Sequence, residues 1–281
     1  MIGPLVSTDW LAEHLGDADL VVLDGSWHMP ADGRDAKSEY AAAHIPGAVF
    51  FDIDAISDHA SDLPHMLPTP PAFATAVRRL GVGAGSSVVV YDTVGVFSSP
   101  RVWWSLRAMG HAKVFVLDGG LKKWVAEGHP VEAGWREAEH GEFKAHPAAE
   151  LIAGIDAVRG ALERGEAQVV DARPAVRFRG EAPEPRPGLR AGHMPGARNV
   201  PWSQLVASDG QLAAPAQLMA AFETAGVDPA EPIITTCGSG ISASILALAL
   251  ARLGRDDVAV YDGSWSEWGA RSDTPVATGS G

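Results

Sequence analysis

The stretch IITTCGSGI (233–241) sets a run of β-formers against a turn of small residues, and it has a double in VVVYDTVGV (88–96). Each run stops at one polar residue, Cys237 in the first and Asp92 in the second, and Gly240 and Gly95 follow at equal spacing. A short apolar or β-branched run bounded by a turn reads as an interior strand. Four more runs share the design: LVVLDGS (20–26), VFVLDGG (114–120), QVVDAR (168–173) and VAVYDGS (258–264). Helical stretches such as PAFATAVRRLG (71–81) and PAQLMAAFETAG (215–226) lie between them. Buried strands alternating with helices imply α/β architecture, with parallel sheets covered by helices on both faces.

The order of these pieces repeats across the two halves. AAAHIPGAVFFDI (41–53) answers RAGHMPGARNVPW (190–202), and VFVLDGGLKKWVAEGHPV (114–131) answers VAVYDGSWSEWGARSDTPV (258–276). Half a chain is too long for a solenoid repeat, so the expectation is two copies of one α/β domain, 1–134 and 150–281. The polar stretch EAGWREAEHGEFKAHPAAE (132–150) is the expected linker. A chain of 281 residues with 46% apolar content can fill two cores.

A net charge of -13 argues against nucleic-acid and anionic-membrane partners, which select positive surfaces. The N-terminus lacks the charged start and apolar core of a signal peptide, and the run 241–253 is too short to span a bilayer. One cysteine makes neither an internal disulfide nor a cysteine-rich zinc site. No Gly-rich phosphate fingerprint or metal-ligand spacing is present. The reading is a cytoplasmic protein without metal or cofactor.

Only the second half carries a thiol at a strand's carboxyl end, which is where open α/β sheets bind ligands. Small residues from Cys237 to Ser242 let the backbone curl and turn its N–H groups inward, and a helix beginning near Ser242 adds its positive end. Both favour an anion at the sulfur and hence a nucleophilic thiolate. A phosphatase loop would place arginine at position 243, which is alanine here.

With these residues the chain resembles the rhodanese family of tandem-domain sulfurtransferases. The loop CGSGIS (237–242) resembles the Cys-Gly-Ser/Thr-Gly-Val-Thr loop of members that act on 3-mercaptopyruvate, with Ile241 and Ser242 as conservative departures. Members that act on thiosulfate carry Arg and Lys where this chain has Gly238 and Ser239. HIPGA (44–48) and HMPGA (193–197) mark the wider superfamily. The resemblance implies two rhodanese-like domains, an inactive first one with Asp92 at the cysteine position, and a site in the cleft between them. It also implies a Cys237 persulfide.

That chemistry asks for a carboxylate clamp, a carbonyl polariser and proton handling. Arginines in RFRGEAPEPR (177–186) suit the clamp because guanidinium grips carboxylates through two parallel hydrogen bonds. By resemblance Arg177 and Arg186 are substrate-binding, together with Gly238, Gly240, Ile241 and Ser242 of the loop, and Arg179 is structural. Arg173 and Arg190 are unassigned. Ser239, His65 and Asp54 match the family's proton relay. Residue pattern alone does not separate His65 from His59 or His44 among the ten histidines. His44 and His193 each lead into a Pro-Gly turn, and that duplication points to structure. Trp265 follows a strand end and is a candidate to line the cleft.

The leading expectation is an enzyme that moves sulfur from 3-mercaptopyruvate to thioredoxin, another thiol or cyanide. The alternatives are a thiosulfate:cyanide sulfurtransferase and a non-catalytic persulfide carrier. A thiosulfate dianion asks for loop cations, which are missing, and a pure carrier needs no carboxylate clamp.

Overall fold

The computed structural model describes residues 3–280. They form two compact units, one of residues 3–58, 67–148 and 208–212, the other of 59–66, 149–207 and 213–280. Each unit holds one five-stranded sheet, and all pairings in both are parallel.

In the first unit the strands are β1 (Leu5–Val6), β2 (Leu20–Asp24), β3 (Val49–Phe50), β4 (Ser87–Tyr91) and β5 (Val114–Leu117), in the order β1-β5-β4-β2-β3. In the second they are β6 (Ile152–Ala153), β7 (Gln168–Asp171), β8 (Arg198–Asn199), β9 (Ile233–Thr236) and β10 (Ala259–Tyr261), in the order β6-β10-β9-β7-β8. The two orders are the same once each number is advanced by one set of five. The six apolar runs are the six inner strands. Val88, Val89 and Val90 are fully buried, as an inner parallel strand requires. The four outer strands have two residues each, too few to leave a periodic signal.

Helices flank each sheet. Those that follow β4 and β9 matter most here: α4 (Ser99–Ala108) and α9 (Ala243–Arg252). Residues 243–251 of α9 are all buried, so ASILALALA is apolar on every side because no side meets water. No described helix is long and apolar enough to cross a membrane.

Stretch 132–148 is a strap on the first unit. Gly141 N–H donates to Arg78 O (2.8 Å) and Ala148 N–H to Ala108 O (2.9 Å). Phe143 is buried against Phe73 and His111, with ring centroids 6.1 and 5.9 Å away. The polar composition hides this, because two aromatic contacts, Phe143 and Trp135, and backbone bonds hold the strap.

The duplicated histidines have duplicated work. His44 Nδ1 lies 2.8 Å from Tyr40 O, and its ring stacks on Tyr40. His193 Nδ1 lies 2.8 Å from Phe178 O, and its ring stacks on Phe178.

The inner strands β2 and β7 end in matched aspartates with unequal partners. Asp171 is gripped by Arg173 through Nε (2.9 Å) and NH2 (2.7 Å). In the first unit Ser26 stands at the arginine's place, and buried Asp24 accepts from Ser26 N (2.9 Å) while its Oδ2 has no hydrogen bond. Burial pushes the Asp24 carboxyl up to about 6. A carboxyl raised in the folded state favours folding as pH falls through 6 towards its ordinary 3.8, and opposes it above 6. The penalty near pH 8 is on the order of 2–3 kcal/mol. Asp24→Asn is therefore expected to stabilise the protein by about 1–2 kcal/mol at pH 8. Urea unfolding should show this gain shrinking as pH falls to 5, and a gain independent of pH would refute the assignment.

Candidate active site

β9 delivers the chain to Cys237, which is 2% exposed. The loop that follows turns through Gly240, whose φ of +83 is a glycine conformation, and enters α9 at its cap Ser242. Gly240 N–H donates to Cys237 Sγ at 3.1 Å. The loop's carbonyls are engaged elsewhere. Cys237 O accepts from Trp265 N (2.9 Å), and Gly238 O accepts from Ser266 N (2.9 Å) and Oγ (2.7 Å). These donors open α10 (Ser264–Trp268), and they turn the loop's carbonyls away while the Gly240 N–H points at the sulfur.

Ser264 closes the arrangement by accepting from Cys237 N (3.2 Å) and donating to Tyr261 O (2.8 Å). Only two described residues other than glycine have a positive φ, Ser264 at +50 and His65 at +62. Both touch the cysteine loop, and strained backbone collects at functional sites.

Gly238 has no positive φ. What its missing side chain supplies is room. A Cβ there would lie 3.3 Å from Arg177 NH2 and 4.0 Å from Arg186 NH1. The two arginines thus stand beside the residue that follows the thiol. Arg177, on α7 (Ala175–Phe178), is ion-paired with buried Glu184. Glu184 also pairs with Arg173 (2.8 Å).

His65 belongs to the second unit and is 7% exposed. Its Nδ1 lies 3.1 Å from Ser239 Oγ and 3.3 Å from Ser239 O. The fold of this unit therefore gathers Cys237, Gly238, Ser239, Gly240, Ile241, Ser242, Arg177, Arg186 and His65. Asp54 belongs to the first unit, where its Oδ2 accepts from Trp27 Nε1 at 3.1 Å.

The other arginines are structural. Arg190 donates to Trp268 O, Gly269 O and Thr274 O at 2.8–3.0 Å. Arg179 pairs with Glu181 at the surface. Arg173 lies over the Trp265 ring at 4.3 Å. Trp265 does not line a cleft: it is fully buried, with Nε1 donating to Arg190 O (2.9 Å), because the helix it opens packs behind the loop. Glu184, Ser264 and Ser266 are not expected from sequence. An acid among the five arginines of 173–190 and a polar residue repeated after a strand end are the available signals.

The corresponding loop of the first unit is filled. Asp92 O accepts from Leu121 N (3.0 Å), as Cys237 O does from Trp265 N. The Asp92 carboxylate occupies the turn: Oδ1 accepts from Val94 N and Gly95 N, and Oδ2 from Phe97 N, Ser98 N, Ser99 N and Ser99 Oγ, all at 2.7–3.0 Å. A carboxylate fills the turn where the second unit has a thiol.

The rhodanese-like domain matches this chain twice, over residues 7–127 and 155–271. A 3-mercaptopyruvate sulfurtransferase of Escherichia coli is 49% identical over 272 residues, covering 96% of each chain. A mitochondrial protein of Arabidopsis thaliana named thiosulfate/3-mercaptopyruvate sulfurtransferase 1 is 43% identical over 296 residues, 97% of this chain and 78% of its own. The crystal structure of a 3-mercaptopyruvate sulfotransferase from Escherichia coli superposes with a TM-score of 0.86 at 45% identity, covering 94% of this chain and 99% of its own.

Proposed function

The chain belongs to the rhodanese family, whose domain it carries twice, and on that premise we propose how its residues share the work of moving sulfur from 3-mercaptopyruvate. The reaction is that of a 3-mercaptopyruvate sulfurtransferase. Cys237 is the nucleophile. As a thiolate it attacks the substrate sulfur, the carbon–sulfur bond breaks, and its electron pair leaves as the enolate of pyruvate. The proton carried in on sulfur ends on the methylene carbon, so pyruvate and Cys237–S–S⁻ result. A thiol such as thioredoxin, or cyanide, then takes the outer sulfur.

The single observation that carries the assignment of roles is the placing of Arg177 and Arg186 beside side-chain-free Gly238. They bind the substrate carboxylate next to the thiol, in space that a loop side chain would take. Ser239 and His65 handle the proton. A carbonyl only accepts, so a proton on His65 Nδ1 serves both Ser239 oxygens and frees the Ser239 hydroxyl hydrogen to face the substrate. Asp54 is assigned to orienting His65, and Gly240, Ile241 and Ser242 to binding the substrate together with Gly238. A reducing cytoplasm suits a lone thiol that must not be consumed by oxidation.

Steady-state kinetics with 3-mercaptopyruvate and thiosulfate on one preparation test this reading. The expected preference is for mercaptopyruvate, because no loop side chain from 238 to 242 is cationic. Arg177→Ala and Arg186→Ala should each raise its KM by roughly ten- to a hundredfold, the range of one lost charged hydrogen bond. Transfer from preformed persulfide should change far less. An unchanged KM in both variants removes the arginines from the site, and thiosulfate preference would establish the second donor reading.

A further inference from the structure

Building on the persulfide reading above, we propose that the Ser244 hydroxyl is a catalytic donor to the outer sulfur of the Cys237 persulfide. Ser244 lies in the first turn of α9 and is fully buried. In the unloaded loop its Oγ donates to Gly240 O at 2.9 Å, and its N–H donates to Ile241 O at 3.2 Å. Both donors are thus spent on the loop itself.

The first unit displays the corresponding loop with a carboxylate in place, its helix starting at Ser99, one position later than α9 starts after Cys237. Ser99 follows Asp92 at the spacing by which Ser244 follows Cys237. There the hydroxyl donates to Asp92 Oδ2 at 2.7 Å and the N–H to the same oxygen at 2.9 Å. The comparison is chemical as well as positional. In Asp92 the charged oxygen is two bonds from Cβ, and in a persulfide the charged outer sulfur is also two bonds from Cβ. An unloaded thiol has no acceptor atom at that distance. Its serine therefore turns back to the carbonyl four residues earlier, the usual resort of a helical serine. When mercaptopyruvate delivers its sulfur, a buried anion is created where that hydroxyl can reach by rotation about χ1. A buried anion without donors is costly, so the hydroxyl exchanges a neutral acceptor for a charged one. The exchange stabilises the product of the first half-reaction and leaves the unloaded thiol unaffected.

The test uses the full chain with Ser244→Ala and Ser244→Thr. In Ser244→Ala, single-turnover persulfide formation from mercaptopyruvate should slow about tenfold, and the pH midpoint of persulfide discharge to cyanide should rise by about one unit. Alkylation of unloaded Cys237 by iodoacetamide should stay within twofold of wild type. Ser244→Thr, which keeps the hydroxyl, should keep the wild-type midpoint. Unchanged formation and midpoint in Ser244→Ala overturn the proposal. So does an equal slowing of alkylation, which would mean that the hydroxyl only holds the loop. Mass spectrometry of donor-treated wild type is the separate check: no added sulfur on the Cys237 peptide defeats the persulfide reading itself, whereas a normal adduct with an indifferent Ser244→Ala defeats only this step.

Discussion

Cys237→Ser is expected to lower kcat/KM for mercaptopyruvate by at least about a thousandfold, to background, in a protein that still folds. A hydroxyl in this loop is a far weaker nucleophile than a thiolate, and it cannot store sulfur at the sulfane level. No other cysteine in the chain substitutes for it. The loop tolerates the change because Ser is smaller than Cys and still accepts from Gly240 N, the bond now made to Sγ. The stability change should stay within about 1 kcal/mol. The checks are pyruvate release and the mass of the peptide that holds residue 237 after treatment with donor. Appreciable turnover in the serine variant would end the covalent mechanism.

Asp92→Ala should produce the largest loss of stability available from one polar residue in the first unit. The carboxylate accepts five backbone N–H groups and one hydroxyl. Removing it leaves those donors without an acceptor in a buried turn, at about 1–3 kcal/mol for each one that water does not reach. Even with partial hydration the sum is on the order of 4–6 kcal/mol, a size that single substitutions seldom reach. Asp92→Asn should fall between, since its amide returns one acceptor and brings a donor where none is wanted. Chemical denaturation read by tryptophan fluorescence measures the difference. A loss below about 1 kcal/mol for Asp92→Ala would show that the loop relaxes around the vacancy, and would weaken Asp92 as a template for the loaded loop.

Both expectations rest on one scaffold used twice. A loop follows β4 in the first unit and β9 in the second, with five N–H groups on the Asp92 carboxylate in the first and the Gly240 N–H on the Cys237 sulfur in the second, and the residue at its start decides the outcome. A fixed carboxylate makes a structural joint of it, and in the mechanism we propose a thiol makes it the place where the persulfide forms and discharges.

The amino-acid sequence by itself determined the repeat, the inner strands and the placing of Cys237 at a strand's carboxyl end. These are local properties: burial on both faces makes a parallel strand apolar throughout, and small residues mark the turn that follows. It also excluded a phosphatase loop, because one residue, Ala243, stands at the position that chemistry requires. Tertiary structure decided what depends on residues far apart in the chain. His65 and Ser239 meet across 174 positions, so nothing near His65 distinguishes it from His59. Gly238 looks like a conformational glycine, but only the approach of Arg177 and Arg186 shows that it is there for space. Arg173 and Arg177 read alike in an arginine-rich loop until Asp171, Glu184 and the Trp265 ring bury the first and leave the second beside Gly238. Patterns of burial are written residue by residue along a strand, whereas a site is made by whichever side chains the fold brings to one point.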